Sequence, residues 1–242
     1  MPTGRKHLTR HEMKQDEFVS WMTHATLWVE ENTKVVLAGL AGLAVAVLAV
    51  LGFFGWRHAQ EDKAFTALGE VQRAARASVA GEPGAGAGAF ATPQDRASAI
   101  IKAADAMLRD HPGGPAADWA RYHRAAALLD LGKKDDAATA LAPVLSSRNE
   151  SLISDLARLL SGRIEESRGN LQKAADEYAA AAARAGKNFP PELALSDRAR
   201  CLAGLGKKQE AINAYQKILD DHPETPLAAK INQRLQALRG QS

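Results

Sequence analysis

The chain has 242 residues, 46% hydrophobic and only 5% aromatic, with a formal net charge of +3. This small excess, spread over charges of both signs, excludes the concentrated basic surface of a nucleic-acid-binding protein. The single cysteine excludes an internal disulfide framework. Few residues follow strand-like alternation, so we expect an all-α protein with one sizeable domain and appendages.

Residues 1–34 predict a cytoplasmic tail with an amphipathic helix next to the membrane. Thr9 to Glu12 fits a capping box, and an apolar stripe follows at helical spacing. Two interpretations stay open: a helix in the membrane interface, or one that packs on a partner. Two histidines four residues apart in the tail are too few for a metal site. The stripe residues are Phe18, Trp21, Met22, Ala25, Trp28 and Val29, and the histidines are His7 and His11.

Residues 35–56 form an uncharged apolar run that predicts a single transmembrane helix. At about 1.5 Å per residue the run spans ~33 Å, enough to cross a hydrocarbon core. The long tail before it and the lack of a small-residue cleavage site after it argue against a signal peptide. Ala38, Gly42 and Ala46 share one helix face, where small residues let two helices pack closely, so a homodimer stays open.

The orientation of this helix is nearly balanced by charge. Basic residues precede the run at Arg5, Lys6, Arg10, Lys14 and Lys34, and follow it at Arg57, Lys63, Arg73 and Arg76. A short N-terminal tail usually stays in the cytoplasm, while a long domain after the span is carried across the membrane. We therefore expect an inner-membrane protein with a cytoplasmic N-terminus and a periplasmic C-terminal domain.

Residues 57–80 continue the helical pattern beyond the span, and residues 81–95 predict a flexible linker rich in Gly, Ala and Pro. The glycines between Gly84 and Gly88 do not form a phosphate-binding loop, because no strand precedes them and no matching lysine follows.

Residues 96–242 repeat with a period of 37. Gly132, Gly169 and Gly206 follow this spacing, and each precedes an alanine-rich apolar run. The phrase Asp-His-Pro begins at Asp110 and again at Asp221, three periods later. Such a period predicts a solenoid of helix pairs, each with a helix A, a glycine turn and a helix B. The helices A are predicted at 115–131, 151–167 and 191–205, with a capping helix at 226–239. The first helix B lacks a partner directly before it, a place that residues 58–80 can fill.

The repeat resembles the tetratricopeptide repeat, whose helix pairs carry small residues at their crossing, a glycine turn, an aromatic in helix B and a final proline. The third copy matches best, with Ala199, Gly206, Ala211, Tyr215, Ile218 and Pro223. The resemblance implies a fold that binds proteins.

Helical spacing suggests which helix A residues face the binding groove: Trp119, Tyr122, Arg163, Asp197 and Arg200. Arginine and aromatic residues are favoured at binding hot spots. Trp119 fits a packing role between helix pairs equally well, and Cys201 is expected to be a buried small hydrophobe. We identify no catalytic constellation, metal set or cofactor motif, so the chain is not expected to be an enzyme.

Three short segments carry a second resemblance: Glu31-Asn32-x-Lys34, Gly55-Trp56-Arg57 and Thr225-Pro226. Together with the order of tail, anchor and repeat domain, they resemble the YfgM-type family of bacterial inner-membrane proteins. The resemblance implies a periplasmic repeat domain that associates with the SecYEG translocon, periplasmic chaperones or client chains. The longer basic tail and the Gly/Ala linker depart from that family. The alternatives are a scaffold for envelope biogenesis or cell division, and a secretion-system assembly factor.

Overall fold

The computed structural model describes residues 22, 24, 27–83, 85–86, 88–147, 151–184 and 189–240. Most of these residues are α-helical, as the sequence predicts. The predicted capping box at Thr9, the two tail histidines and half of the apolar stripe (Phe18, Trp21 and Ala25) lie outside them. The helices are α1 (Thr33–Arg76), α2 (Pro93–Asp110), α3 (Pro115–Asp130), α4 (Lys134–Ser146), α5 (Leu152–Ser167), α6 (Leu171–Arg184), α7 (Pro191–Gly204), α8 (Lys208–Asp221) and α9 (Ala228–Arg239). The chain divides into two units, Met1–Gln60 and Glu61–Ser242.

In the first unit, the apolar run lies within α1, and nearly all its side chains are exposed. An 18-residue window of α1 has a mean hydropathy of 2.7, and none of that window is buried. By length and composition this helix can cross a membrane. The small residues Ala38, Gly42 and Ala46 are exposed along it.

In the second unit, each helix from α2 to α9 packs against the next helix in the chain. Helices α3, α5 and α7, called the A helices below, alternate with their B partners α4, α6 and α8. The first and last residues of the three A helices fall within one residue of the predicted ends. Leu68 and Val71 of α1 are buried in one cluster with Ile100 and Met107 of α2. Residues 61–76 therefore fill the place of the first helix A.

The three predicted glycine turns have one geometry. Gly132, Gly169 and Gly206 have φ angles of 75°, 84° and 76°, a region that costs other residues energy. After each glycine, the next backbone N–H donates to the carbonyl five residues before it, at 2.9–3.0 Å. This is the Schellman arrangement, which satisfies carbonyls at the end of an A helix. The 37-residue period of the sequence therefore corresponds to the repeated turn from an A helix to its B helix.

Two lysines beside these turns, Lys134 and Lys207, have partners in a neighbouring repeat. The sequence suggests that they are only solvated, but the ammonium of Lys134 donates to the carbonyl of Ser167 in the next turn. Lys207 donates to the side-chain oxygen of Gln172 in the preceding repeat, at 3.0 Å. Their long side chains reach across the 37-residue interval, so they connect neighbouring turns.

Backbone hydrogen bonds join the two ends of the segment between α1 and α2 to each other. Val79 and Phe90 form an isolated bridge, in which Ala80 N–H donates to the Phe90 carbonyl at 2.8 Å. Val79 is 4% exposed, so burial of an apolar side chain holds this end. Helix α1 ends at Arg76 rather than at residue 80, and α2 begins at Pro93. A capping box between Thr92 and Asp95 starts α2 before the expected boundary at residue 96.

A buried carboxylate connects the turn after α5 to its surroundings. Glu165 accepts hydrogen bonds from Arg168 at 2.8 Å, Asn170 at 2.8 Å and Lys173 at 3.0 Å. Burial alone would raise the pKa of Glu165, but the hydrogen bonds from Asn170, Lys173 and Arg168 outweigh it and hold the pKa below its usual value. Arg168 also donates to Asp135 of α4 at 2.6 Å, which joins two successive repeats.

In the second complete helix pair, α5 and α6 approach each other at a glycine. A Cβ added to Gly162 of α5 would lie 2.6 Å from Cε1 of Tyr178 in α6, and this tyrosine is fully buried. The aromatic ring therefore occupies the space that a side chain at this position would need.

We predict that Gly162→Ala destabilises the repeat domain by about 1–3 kcal/mol, because the buried ring must move to admit the methyl group. Urea unfolding of the full chain in detergent, followed by far-UV circular dichroism, measures this change. The matched control is Gly69→Ala, where an added Cβ meets no atom within 4 Å and the helix gains propensity. Equal stability of Gly162→Ala and the wild type would contradict the account.

Candidate functional site

A cleft of about 530 Å³ crosses the three A helices. Several of its lining residues occupy equivalent repeat positions, 37 residues apart: Leu129 with Glu166, Asp130 with Ser167, and Arg163 with Arg200. Asp197 completes the lining. Because the turns fix the register of successive helix pairs, the same helix face returns at each repeat and forms one continuous surface.

Arg200 is held by two carboxylates. It forms an ion pair with Glu166 of the preceding A helix and donates to Asp197, one turn earlier on α7, at 2.7 Å. The hydroxyl of the buried Tyr178 donates to the same Glu166 at 3.1 Å. This network joins α5, α6 and α7 across the floor of the cleft.

Asp197 is a partly buried carboxylate of this network. Burial raises its pKa, and the positive charges of Lys230, Arg163 and Arg234 only partly oppose that effect. Lys230 and Arg234 lie one turn apart on α9. Cations from three helices therefore surround this carboxyl group.

Arg163 differs from its equivalent in the next repeat. Its side chain is exposed in the cleft, and it forms no ion pair or hydrogen bond with any residue that the structure describes. Two carboxylates of the cleft lining, Glu166 and Asp197, form ion pairs with Arg200.

The predicted aromatic residues lie on α3. The rings of Trp119 and Tyr122 meet edge to face, with centroids 6.2 Å apart at 81°. Trp119 is half-buried and packs against the core clusters on both sides of α3. Burial raises the pKa of Tyr122, while the charge of Arg163 acts in the opposite direction.

The structure thus brings most of the predicted site residues together. Arg163, Asp197 and Arg200 line the cleft, whereas Tyr122 and Trp119 lie on α3 outside its lining, where Trp119 packs between helix pairs. The prediction missed Leu129, Asp130, Glu166 and Ser167. Two features of the sequence could have identified these residues: the period of 37, and the spacing of one helical turn from Arg163 to Glu166.

Other reactive groups do not form a site in the part of the chain that the structure describes. No three metal-binding side chains cluster among these residues. Cys201 is 1% exposed, as predicted for a buried small hydrophobe, and burial raises the pKa of its thiol. Burial also lowers the pKa of His123, and the nearby Arg76 lowers it further.

Comparisons with known proteins agree with the helical repeat. A family model described as a tetratricopeptide repeat-like domain matches residues 27–240, which is most of the chain. No curated protein and no solved structure matches the chain significantly.

We predict that Arg200→Ala lowers the free energy of unfolding by up to about 1 kcal/mol, because it removes a half-exposed ion-pair network. Arg163→Ala changes it by less than about 0.5 kcal/mol, since Arg163 is exposed and forms no ion pair or hydrogen bond with a described residue. Urea unfolding of both variants measures the difference. A larger loss in Arg163→Ala than in Arg200→Ala would show that the assigned ion pairs are wrong.

Proposed function

Because this chain belongs to the tetratricopeptide repeat-like family, we propose that it is a membrane-anchored scaffold whose cleft holds a segment of a partner protein. The observation that carries this proposal is the cleft itself. It crosses three successive A helices, and its lining includes an exposed arginine and a partly buried leucine. Such mixed polar and apolar lining is typical of surfaces that bind protein segments.

Helix α1 is the proposed anchor. Its exposed apolar run needs a nonpolar environment, and a lipid bilayer supplies one along the whole length of the run. The proposed topology places residues 1–34 in the cytoplasm and the repeat domain in the periplasm. The support for this orientation is the length of the domain that follows the span, since the basic residues before and after the span are nearly balanced.

The proposed partners are subunits of the SecYEG translocon, with periplasmic chaperones or emerging client chains as further ligands of the repeat domain. This finer assignment depends on the resemblance to the YfgM-type family, carried by Glu31-Asn32-x-Lys34, Gly55-Trp56-Arg57 and Thr225-Pro226. A scaffold beside the translocon would hold a chaperone or client close to the membrane. No catalytic step is part of the proposal.

We predict that a cysteine at position 229 reacts with a membrane-impermeant maleimide in intact spheroplasts. Ala229→Cys places the thiol on an exposed residue of α9, and the buried Cys201 is replaced by Ala in the background. The mirror variant, Thr3→Cys, should react only after the membrane is permeabilised. The reverse pattern of labelling would contradict the proposed orientation.

We predict that tagged full-length protein from solubilised membranes enriches translocon subunits and envelope chaperones. The control is residues 1–60 fused to an unrelated soluble domain, which keeps the anchor and removes the repeats. Mass spectrometry compares the two. Equal recovery of both partner classes by the control would assign the interaction to the anchor, and recovery of neither by the full chain would refute the proposed partners.

A further inference from the structure

A second groove, separate from the cleft, lies beside helix α8. It has a volume of about 610 Å³, and none of its described lining residues lines the cleft across the A helices. Five of the six residues share one face of α8 by helical spacing, and the sixth belongs to α9. The residues of this surface, called the α8 groove below, are Lys208, Gln209, Ile212, Asn213, Gln216 and Arg239.

The equivalent face of the preceding B helix, 37 residues earlier on α6, is covered by the next repeat. There, Gln172 accepts a hydrogen bond from Lys207 at 3.0 Å, and Ala175 is only 2% exposed. Ile212 takes the place of Ala175 on α8 and stays partly exposed, because the described part of α9 adds only Arg239 to the lining. The face that packs against a neighbouring repeat on α6 is therefore an open groove on α8.

The described lining of the α8 groove carries two cations and no carboxylate. Lys208 is the first residue of α8, where the positive end of the helix dipole adds to its charge. The guanidinium of Arg239 donates to the side-chain oxygen of Gln216 at 3.5 Å, which places it toward the other end of the groove. The exposed Asp220 accepts a hydrogen bond from Gln216 at 3.2 Å but lies outside the lining. Charge complementarity therefore favours a ligand with an anion at each end.

The middle of the groove is apolar and flanked by amides. Ile212 lies one helical turn from Lys208 and one from Gln216. Gln209 donates to Asn213 at 3.0 Å, and each of these primary amides keeps further donors and acceptors. An extended peptide offers its backbone N–H and C=O groups to such amides, whereas a helical peptide satisfies its own backbone groups internally. The lining therefore favours an extended peptide with an apolar side chain at its centre.

We propose that the α8 groove binds an extended segment of a partner protein with the pattern acidic-x-apolar-x-acidic. The lining from Lys208 to Gln216 runs for ~12 Å at about 1.5 Å per residue. Five extended residues span ~13 Å, and their first, third and fifth side chains point to one face. The two acidic side chains then pair with Lys208 and Arg239, and the apolar one packs on Ile212. This second binding surface goes beyond the scaffold function of the cleft and does not depend on the cleft's partner.

A peptide selection tests the proposal on the full-length protein in detergent micelles. The probe is a randomised twelve-residue library displayed on phage. Clones that also bind the double variant Lys208→Glu/Arg239→Glu are removed, because they bind elsewhere on the protein. We expect the remaining clones to share two acidic residues four positions apart with an apolar residue midway. No such clones, or acidic residues seven or eight positions apart as a helical ligand requires, would overturn the proposal.

The selected peptide is then synthesised with a C-terminal amide, and its affinity is measured by fluorescence anisotropy. We expect Lys208→Met and Arg239→Met each to weaken binding about three- to fivefold, the double variant about tenfold or more, and added salt to weaken the wild type. The matched control, Lys102→Met/Arg109→Met, removes an exposed lysine and an exposed arginine from α2 and should bind as the wild type does. Far-UV circular dichroism verifies that all variants keep their helices.

Two changes to the assay test the register and the class of ligand. Moving one acidic residue of the peptide by a single position turns it to the opposite face, so we expect the same loss as from replacing that residue by Gln. Equal affinity of the shifted and original peptides would contradict the proposed register. If millimolar inorganic phosphate displaces the peptide and replacing its apolar residue by Ser changes nothing, the groove is a simple anion site and the proposal is wrong.

The same measurements separate this proposal from the scaffold function of the cleft. If Lys208→Met/Arg239→Met binds the peptide as tightly as the wild type, the α8 groove is not the site, whatever the pull-down recovers. If the peptide binds through Lys208 and Arg239 while no translocon subunit is recovered, the α8 groove keeps its assignment and the proposed partners of the cleft are wrong.

Discussion

The repeat domain depends on a left-handed residue at each turn from an A helix to its B helix. Gly132, Gly169 and Gly206 supply it at equal intervals, and the same backbone hydrogen bonds close all three turns. Because the turn has a fixed geometry, it sets the direction of the helix that follows. Each B helix therefore packs against its own A helix. The contacts at Gly162 with Tyr178 and the bonds around Glu165 then hold neighbouring helices together.

The cleft is a consequence of this regularity. Equal repeats place equivalent residues side by side on successive A helices, which is why Arg163 and Arg200 line one surface. The repeats differ in what surrounds these arginines. Arg200 has carboxylate partners on α5 and α7, whereas Arg163 has none among the described residues. The same backbone position thus holds one arginine in ion pairs and another without a partner among the described residues.

The sequence predicted the helical repeat well because turns and periods are local signals. The glycine spacing located the A helices to within one residue of their ends. The contacts that individual side chains and loop residues make were less predictable from the sequence. The bridge between Val79 and Phe90 and the reach of Lys134 to Ser167 depend on distant backbone atoms. The cleft was predicted in part, since helical spacing selects a face but does not show that Tyr178 and Arg200 share Glu166.

Site-specific photocrosslinking in living cells tests the central claim most directly. A photoreactive amino acid is placed at Asp130, which lines the cleft, and in a second protein at Ala229, an exposed residue of α9 outside it. The account predicts crosslinks to a translocon subunit, envelope chaperone or client chain from position 130 and none to that protein from position 229. Crosslinks to the same partner from position 229 alone would contradict it.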